Sequence, residues 1–396
     1  MDIRIVAAVM VALLLSLGLT PLVKRLAWRV GAIDVPKDSR RIHKQPIPRL
    51  GGLAIFIGFI ISVALLADID RQVRGILFGA VVIVITGVID DIRPLHALIK
   101  FALQIVAALI AVFHGVDIEI FSNPNIFSAA QFVSLGYFSI PITVLWIVAI
   151  TNSVNLIDGL DGLAVGVSTI SAIVMLVIAL MVGDMNVAVI TAALIGACLG
   201  FLPHNFNPAK IFMGDTGALL LGYVLATVSI IGLFKFYAVV SLAVPFLVMA
   251  LPLFDTAFAF LRRLVRGQNP MSPDRGHFHL RLLDMGLSQK QAVATLYAIS
   301  GLLGIAAVVI TTSGEIRAII MIAAALIAAT IGFFVYRGTH SSPAKDEDPG
   351  DEEIFEELPP ETECQDEPDP VTDAADATPE AEQKEEQEAS YKDTAV

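Results

Sequence analysis

The segment Thr151–Gly162 reads TNSVNLIDGLDG and carries Asn152, Asn155, Asp158 and Asp161 at intervals of three. Each successive pair is adjacent on a helix, but a three-residue step drifts by about −60° each time, so on a straight helix the set would wrap half-way round. Gly159 and Gly162 would relieve this by allowing a bend, letting all four groups line one concave site. Hard oxygen donors of this kind suit Mg²⁺, or Mn²⁺ in its place, rather than zinc. A capping turn would account for one aspartate but not for all four residues.

A second acidic element is Asp90-Asp91, with Lys100 ten residues later. Adjacent carboxylates at the end of an apolar run repel one another and meet the unfavourable end of a helix dipole. They need a cation, a proton or a Lys/Arg partner, or else open solvent. A third element is FMGDTG, residues 212–217, just after Asn205, Asn207 and Lys210. Asp215 and Thr216 are good N-cap residues, and the helix they open offers its N-terminus to an anion.

Cations complete the set. Arg40-Arg41-Ile42-His43-Lys44 leads into PIPRLGG, where His43, Lys44 and Arg49 lie beside a Gly pair that permits close backbone approach to an anionic ligand. Farther on, Arg275, His277, His279 and Arg281 fall within seven residues. Two histidines two apart point the same way only in an extended segment, and no second ligand cluster accompanies them, so diphosphate contacts fit better than zinc. Asp255, in PLFDT, has Arg262 and Arg263 as candidate ion-pair partners.

These groups must be positioned by apolar elements. The chain has 396 residues, 56% of them hydrophobic, and a mean hydropathy of +0.76, which points to lipid as solvent. About 20 apolar residues span a bilayer as a helix. Candidate spans fall near 4–24, 51–67, 75–90, 98–115, 138–153, 163–182, 187–203, 217–234, 237–257, 291–312 and 317–336, which makes the expected fold an all-α polytopic protein of about eleven transmembrane helices. The connections 22–50, 90–100, 204–216 and 258–290 hold 17 of the 26 Lys and Arg residues. By the positive-inside rule they are cytoplasmic, the N-terminus is outside and the C-terminus inside. Every candidate cluster then lies at the cytoplasmic ends of the spans. A cation-coupled transporter would instead place its acids near mid-bilayer, and no internal repeat suggests inverted halves.

The net charge of −12 conceals two parts. From Pro343 on there are 21 acidic residues against three lysines, leaving a mildly basic body. The expected division is a multi-span membrane body over 1–340 and an acidic tail over 341–396, too poor in large apolar residues to fold on its own. Cys198 and Cys364 support no disulfide framework.

In order, PRLGG, VIDD, TNSVNLIDGLDGL, FMGDTG, PLFDT and DRGHFHLRL resemble the polyprenyl-phosphate N-acetylhexosamine-1-phosphate transferases over roughly residues 20–310. Within them the chain is most similar to the WecA/TagO-like branch, which loads GlcNAc-1-phosphate onto undecaprenyl phosphate at the cytoplasmic face of the bacterial inner membrane. The resemblance implies catalytic roles for Asp90, Asp91, Asp158 and Asp161 and Mg²⁺ ligation by Asn155 and Asp215. It implies substrate contacts from His43, Lys44, Arg49, Lys100, Asn152, Lys210, Arg275, His277 and His279. Its partners are undecaprenyl phosphate, a UDP-N-acetylhexosamine and membrane lipid, with a homodimer as candidate assembly and no nucleic acid. Sister donors are UDP-QuiNAc, UDP-FucNAc and UDP-MurNAc-pentapeptide. The family motif is His-x-His-His, and Leu280 stands in its last place. Either that histidine is dispensable or the sugar specificity differs.

Overall fold

A computed structural model describes residues 2–36, 45–122, 132–234, 248–265 and 278–311, with Phe246, Ile320, Ala323 and Ile327. In hydrocarbon a backbone must satisfy its own polar groups, so the apolar runs become helices. They are α1 (Ile3–Val30), α2 (Gly52–Leu66), α3 (Arg71–Ile92), α4 (Ala97–Phe113), α5 (Ser139–Ile157), α6 (Leu163–Val182), α7 (Met185–Asn205), α8 (Gly214–Ser229), α9 (Ala250–Val265), α10 (Phe278–Asp284) and α11 (Gln289–Thr311). Two short antiparallel strand pairs, β1 (Ile33–Asp34) with β2 (Ile47–Pro48) and β3 (Ile120–Ser122) with β4 (Phe132–Ser134), are added to the helical plan.

Seven helical segments among the described residues are long and apolar enough to cross a membrane: α1, α3, α6, α7, α11, α5 with the turn before it, and α8 extended to Gly232. The apolar helices α2 and α4 are shorter. Nine of the eleven expected spans thus coincide with a helix. The span expected at 237–257 is described only in part, and α9 continues past its expected end to Val265. The span at 317–336 and the acidic tail lie outside the described residues apart from isolated positions.

The centre of the fold is α8, buried from Thr216 to Ser229 and packed by α2, α3, α5 and α6. Its polar groups are used for packing: Trp146 Nε1 on α5 donates to Ser229 Oγ at 3.0 Å. On one flank α1 lies against α7 along a seam of small residues. A Cβ added to Gly196 would stand 2.2 Å from Val9 O, and one on Gly200 2.4 Å from Leu13 O. Helices meet this closely in a membrane only where side chains are nearly absent. Ser16 faces Gly200 from α1, whereas the Ala8 and Ala12 carbonyls lie toward α2, where Ser62 Oγ donates to Ala8 O at 2.9 Å and a Cβ on Gly58 would stand 2.8 Å from Ala12 O.

Candidate active site

The site forms where the C-terminal ends of α3, α5 and α7 meet the N-terminal ends of α4, α6 and α8. Its floor is a backbone clamp. Phe212 N donates to Pro48 O at 2.8 Å, Gly51 N to Phe212 O at 3.0 Å and Gly52 N to Met213 O at 2.8 Å. This joins the PRLGG segment to FMGDTG across 161 to 164 residues of sequence. The Gly pair is used for that joint and not for a ligand, contrary to the sequence-based expectation. Both glycines are buried, and a Cβ on Gly52 would stand 2.0 Å from Gly217 N.

Asp91, only 2% exposed, supplies the cap that α8 lacks locally. Its Oδ1 accepts from Asp215 N at 3.0 Å, and its Oδ2 from Thr216 N at 3.0 Å and Thr216 Oγ1 at 2.6 Å. Gly214 has φ +71°, and a Cβ there would stand 2.5 Å from Asp91 Oδ2, so the turn that presents these donors requires glycine. Two expectations change. Asp215 and Thr216 are not the N-cap, and the α8 N-terminus, read from sequence as an anion site, already holds the carboxylate of Asp91. Arg49 Nε donates to Asp91 O at 3.2 Å, tying this cation to the same corner.

Relieved of capping, the Asp215 side chain turns toward α4 and α5. Asn155 Nδ2 donates to its Oδ1 at 3.2 Å, and Lys100 Nζ pairs with its Oδ2. Lys100 also contacts Asp90 Oδ2 at 3.0 Å, while Leu95 N donates to Asp90 Oδ1 at 2.7 Å. The ammonium thus sits between two carboxylates and offsets their repulsion. Asp90, Asp215, Asn155 and Lys100 form one connected group.

After Ile157 the chain turns rather than bends: Asp158–Gly162 is a loop, with Gly162 at φ +78°, before α6 begins at Leu163. The four groups spaced by three therefore separate. Asn152 remains on α5, where its Nδ2 donates to Gln104 Oε1 at 2.5 Å and to Val148 O at 2.8 Å. It ties α5 to α4 and does not line the cavity. Asp161 Oδ2 accepts from Asn207 Nδ2 at 2.9 Å and Ala209 N at 3.0 Å, so it holds the loop after α7. Asn205 is committed as well, accepting from Gly162 N and donating to Ile211 O, both at 3.0 Å. Asp158 alone of the four has no hydrogen-bond partner among the described residues. Burial, followed by the charges of Asp215, Asp91 and Asp161, pushes its carboxyl up to about 8.

These residues surround a cavity of about 1030 Å³, lined by Asn155, Asp158, Asp161 and Asp215 and by cations from three segments, Lys24, Arg49 and Lys210. His279 closes one wall against Gly159, and Leu280 lies beside it. Asp255 accepts a hydrogen bond from Phe278 N at 2.7 Å and stands 4.0 Å from His279 Nδ1. Of the other candidates, His43, Lys44, Arg275 and His277 lie outside the described residues. Sequence reasoning missed Lys24 and Trp28, which bring the end of α1 to the cavity wall, and Gln289, which accepts from Asn207 Nδ2 at 2.6 Å. Lys24 carried only a topological signal, and Trp28 resembled an interfacial aromatic.

Carboxylate and amide oxygens share a cavity at the end of a helical bundle with Lys24, Arg49 and Lys210, the arrangement of a polytopic membrane enzyme acting on phosphorylated substrates. The family model for glycosyl transferase family 4 matches residues 73–233. The probable undecaprenyl-phosphate N-acetylglucosaminyl 1-phosphate transferase of Bacillus subtilis is 43% identical over 313 residues, covering 78% of this chain and 86% of that protein. The decaprenyl-phosphate N-acetylglucosaminephosphotransferase of Mycolicibacterium smegmatis is 40% identical over 313 residues, with coverages of 72% and 77%. The phospho-N-acetylmuramoyl-pentapeptide-transferase of Staphylococcus aureus is 30% identical over 320 residues, with coverages of 75% and 96%. The chain belongs to glycosyl transferase family 4, the family its motifs resemble.

Proposed function

We propose that this protein transfers N-acetylglucosamine-1-phosphate from UDP-GlcNAc to undecaprenyl phosphate and releases UMP, as the first membrane step of a cell-envelope polysaccharide. The observation that carries the reading is the cavity in which uncommitted Asp158 and the Asp215–Asn155 pair face Lys24, Arg49 and Lys210. It combines oxygen donors for a cation with cations for phosphates. The relatives named for GlcNAc-phosphate transfer, at 40–43% identity, set the sugar.

An oxygen of the lipid phosphate forms a bond to the β-phosphorus of the UDP-sugar. The bond from that phosphorus to the bridging oxygen breaks, and UMP leaves with the electron pair. Two anions must meet, so positioning and charge neutralisation dominate. A general base matters less, because a phosphate monoester with a second pKa of about 6 is largely ionised at neutral pH. Lys24, Arg49 and Lys210 would hold phosphate oxygens. Lys100, engaged with two carboxylates, fixes the acidic group in place.

Mg²⁺ fits the donor set: Asp215 and Asn155 present hard oxygens, and Asp158 accepts no hydrogen bond among the described residues. No three His, Cys, Asp or Glu side chains are grouped to enclose a metal among the described residues. Asp158, Asp215 and Asn155 would hold the ion together with substrate oxygens, as Mg²⁺ sites commonly do. When bound, Mg²⁺ supplies charge stabilisation to the transferring phosphoryl group. The reading carries with it eleven spans, an outside N-terminus, a cytoplasmic C-terminus and a site at the cytoplasmic face of the inner membrane, supported by the clustering of the site at one end of the helices and by the distribution of Lys and Arg.

The test is incubation of the purified protein with undecaprenyl phosphate, Mg²⁺ and a panel of UDP-sugars. UDP-GlcNAc should give lipid-dependent UMP. UMP from UDP-QuiNAc, UDP-FucNAc or UDP-MurNAc-pentapeptide alone would reassign the donor, and lipid-independent UMP would overturn the reading.

A further inference from the structure

Asp255 on α9 and His279 on α10 are buried, at 7% and 4% exposure. Both oxygens of the Asp255 carboxylate face the start of α10. One oxygen accepts from Phe278 N at 2.7 Å, fastening the start of α10, and the other stands 4.0 Å from His279 Nδ1. That is ion-pair range, longer than a hydrogen bond. The opposite edge of the ring faces Gly159, where an added Cβ would stand 2.4 Å from His279 Nε2. Gly159 adjoins Asp158 at the cavity wall. A second link joins the two helices, with the Arg281 guanidinium carbon 5.3 Å from the centroid of Phe258.

We propose that Asp255 is the positioning residue for His279: it fixes the start of α10 and faces Nδ1, so that the ring presents an Nε2–H donor past Gly159 to the diphosphate of the nucleotide-sugar. The inference deepens the transferase reading and rests on it. A carboxylate facing Nδ1 holds a proton on that nitrogen, so Nε2–H donates when the ring carries both protons. The other ionisable groups on the surrounding elements are Arg262 and Arg263 on α9, Arg281 and Asp284 on α10, Asp158 and Asp161 in the turn after α5, and Lys290 on α11. Gly159 is bare because a side chain there would push the ring from the wall.

The test is a double-mutant cycle on the full-length protein. Asp255→Asn keeps an acceptor for Phe278 N and removes the charge facing Nδ1. It should raise the KM for UDP-GlcNAc roughly tenfold, leave the KM for undecaprenyl phosphate within twofold, and add less than twofold in a His279→Ala background. An unchanged donor KM, or an equal cost with and without His279, would overturn the proposal. If Asp255→Asn does not accumulate, Asp255→Glu is read in the same cycle. Calorimetric binding of UMP follows the same coupling without turnover. Failure of the transferase reading, with no UMP from any donor, is therefore distinct from failure of the Asp255–His279 link.

Discussion

The carboxylate of Asp91 accepts both the backbone N–H and the hydroxyl of Thr216, 125 residues along the chain, at 3.0 and 2.6 Å. With Asp215 N as a third donor, Asp91 is the cap of the central helix. Asp91→Asn should leave at least one buried donor unpaired and cost ~2–3 kcal/mol, lowering the thermal midpoint in detergent and the amount of folded protein in membranes. Thr216→Val removes only the hydroxyl, should cost about 1 kcal/mol and should keep most of the turnover. A fully stable Asp91→Asn protein that lacks activity would instead assign Asp91 to the chemistry.

Asp215 is linked to Asn155 and Lys100 and is free of capping duty. Asp215→Asn should reduce turnover at least a hundredfold while the protein still inserts and elutes as the wild type does. Titration with Mg²⁺ provides the check, since substantial activity at ordinary Mg²⁺ would remove Asp215 from the metal set.

Asp158 predicts a pH effect of known sign. Its carboxyl is raised to about 8 from an ordinary value of 3.8. Between those values the folded protein holds a proton that the unfolded chain has lost, so this residue makes stability fall as pH rises. Without divalent cation, Asp158→Asn should melt a few degrees higher than the wild type at pH 9, and the difference should vanish near pH 4. Its turnover should fall at least a hundredfold, the trade expected of a site group held at a stability cost. Equal melting at pH 9 would contradict the assignment.

Gly52→Ala should act on folding and not on ligand affinity, because the added methyl meets the α8 backbone at 2.0 Å. A clash with backbone cannot be relieved by a rotamer change and should cost ~3 kcal/mol or more. Immunoblots of membranes should show little Gly52→Ala protein. A normally abundant variant with a raised UDP-sugar KM would return the Gly pair to the ligand site.

Deletion of 343–396 should leave UMP formation within about twofold, since the segment lacks core-forming residues. A truncated protein that inserts but loses most activity would make the tail part of the mechanism.

Nine helices were legible in the sequence because hydrocarbon leaves an apolar run few alternatives. The candidate cluster was legible because polar residues at span ends are costly and stand out. Which of them face the cavity was not. Local capping rules point to Asp215 and Thr216, whereas the cap comes from Asp91 on another helix. Spacing by three groups Asn152 with Asn155, but the chain leaves helical geometry at Asp158, so Asn152 stays behind to bond Gln104. A Gly pair permits close approach without saying to what, and here it is α8. Lys24 and Trp28 belong to a span whose end reaches the cavity only through the packing of α1 on α7.

That packing also orders the events of synthesis. The seam on α1 is complementary to Gly196 and Gly200 of α7, yet the ribosome completes α1 long before it reaches Met185. At ordinary elongation rates the interval is on the order of ten seconds. During it α1 sits in the bilayer with its Val9–Leu13 face unmatched, because α2 covers only the side of Ala8 and Ala12. A helix in this position is open to capture by an insertion factor or by the wrong neighbour, and the wall that carries Lys24 and Trp28 cannot close until the seventh helix arrives.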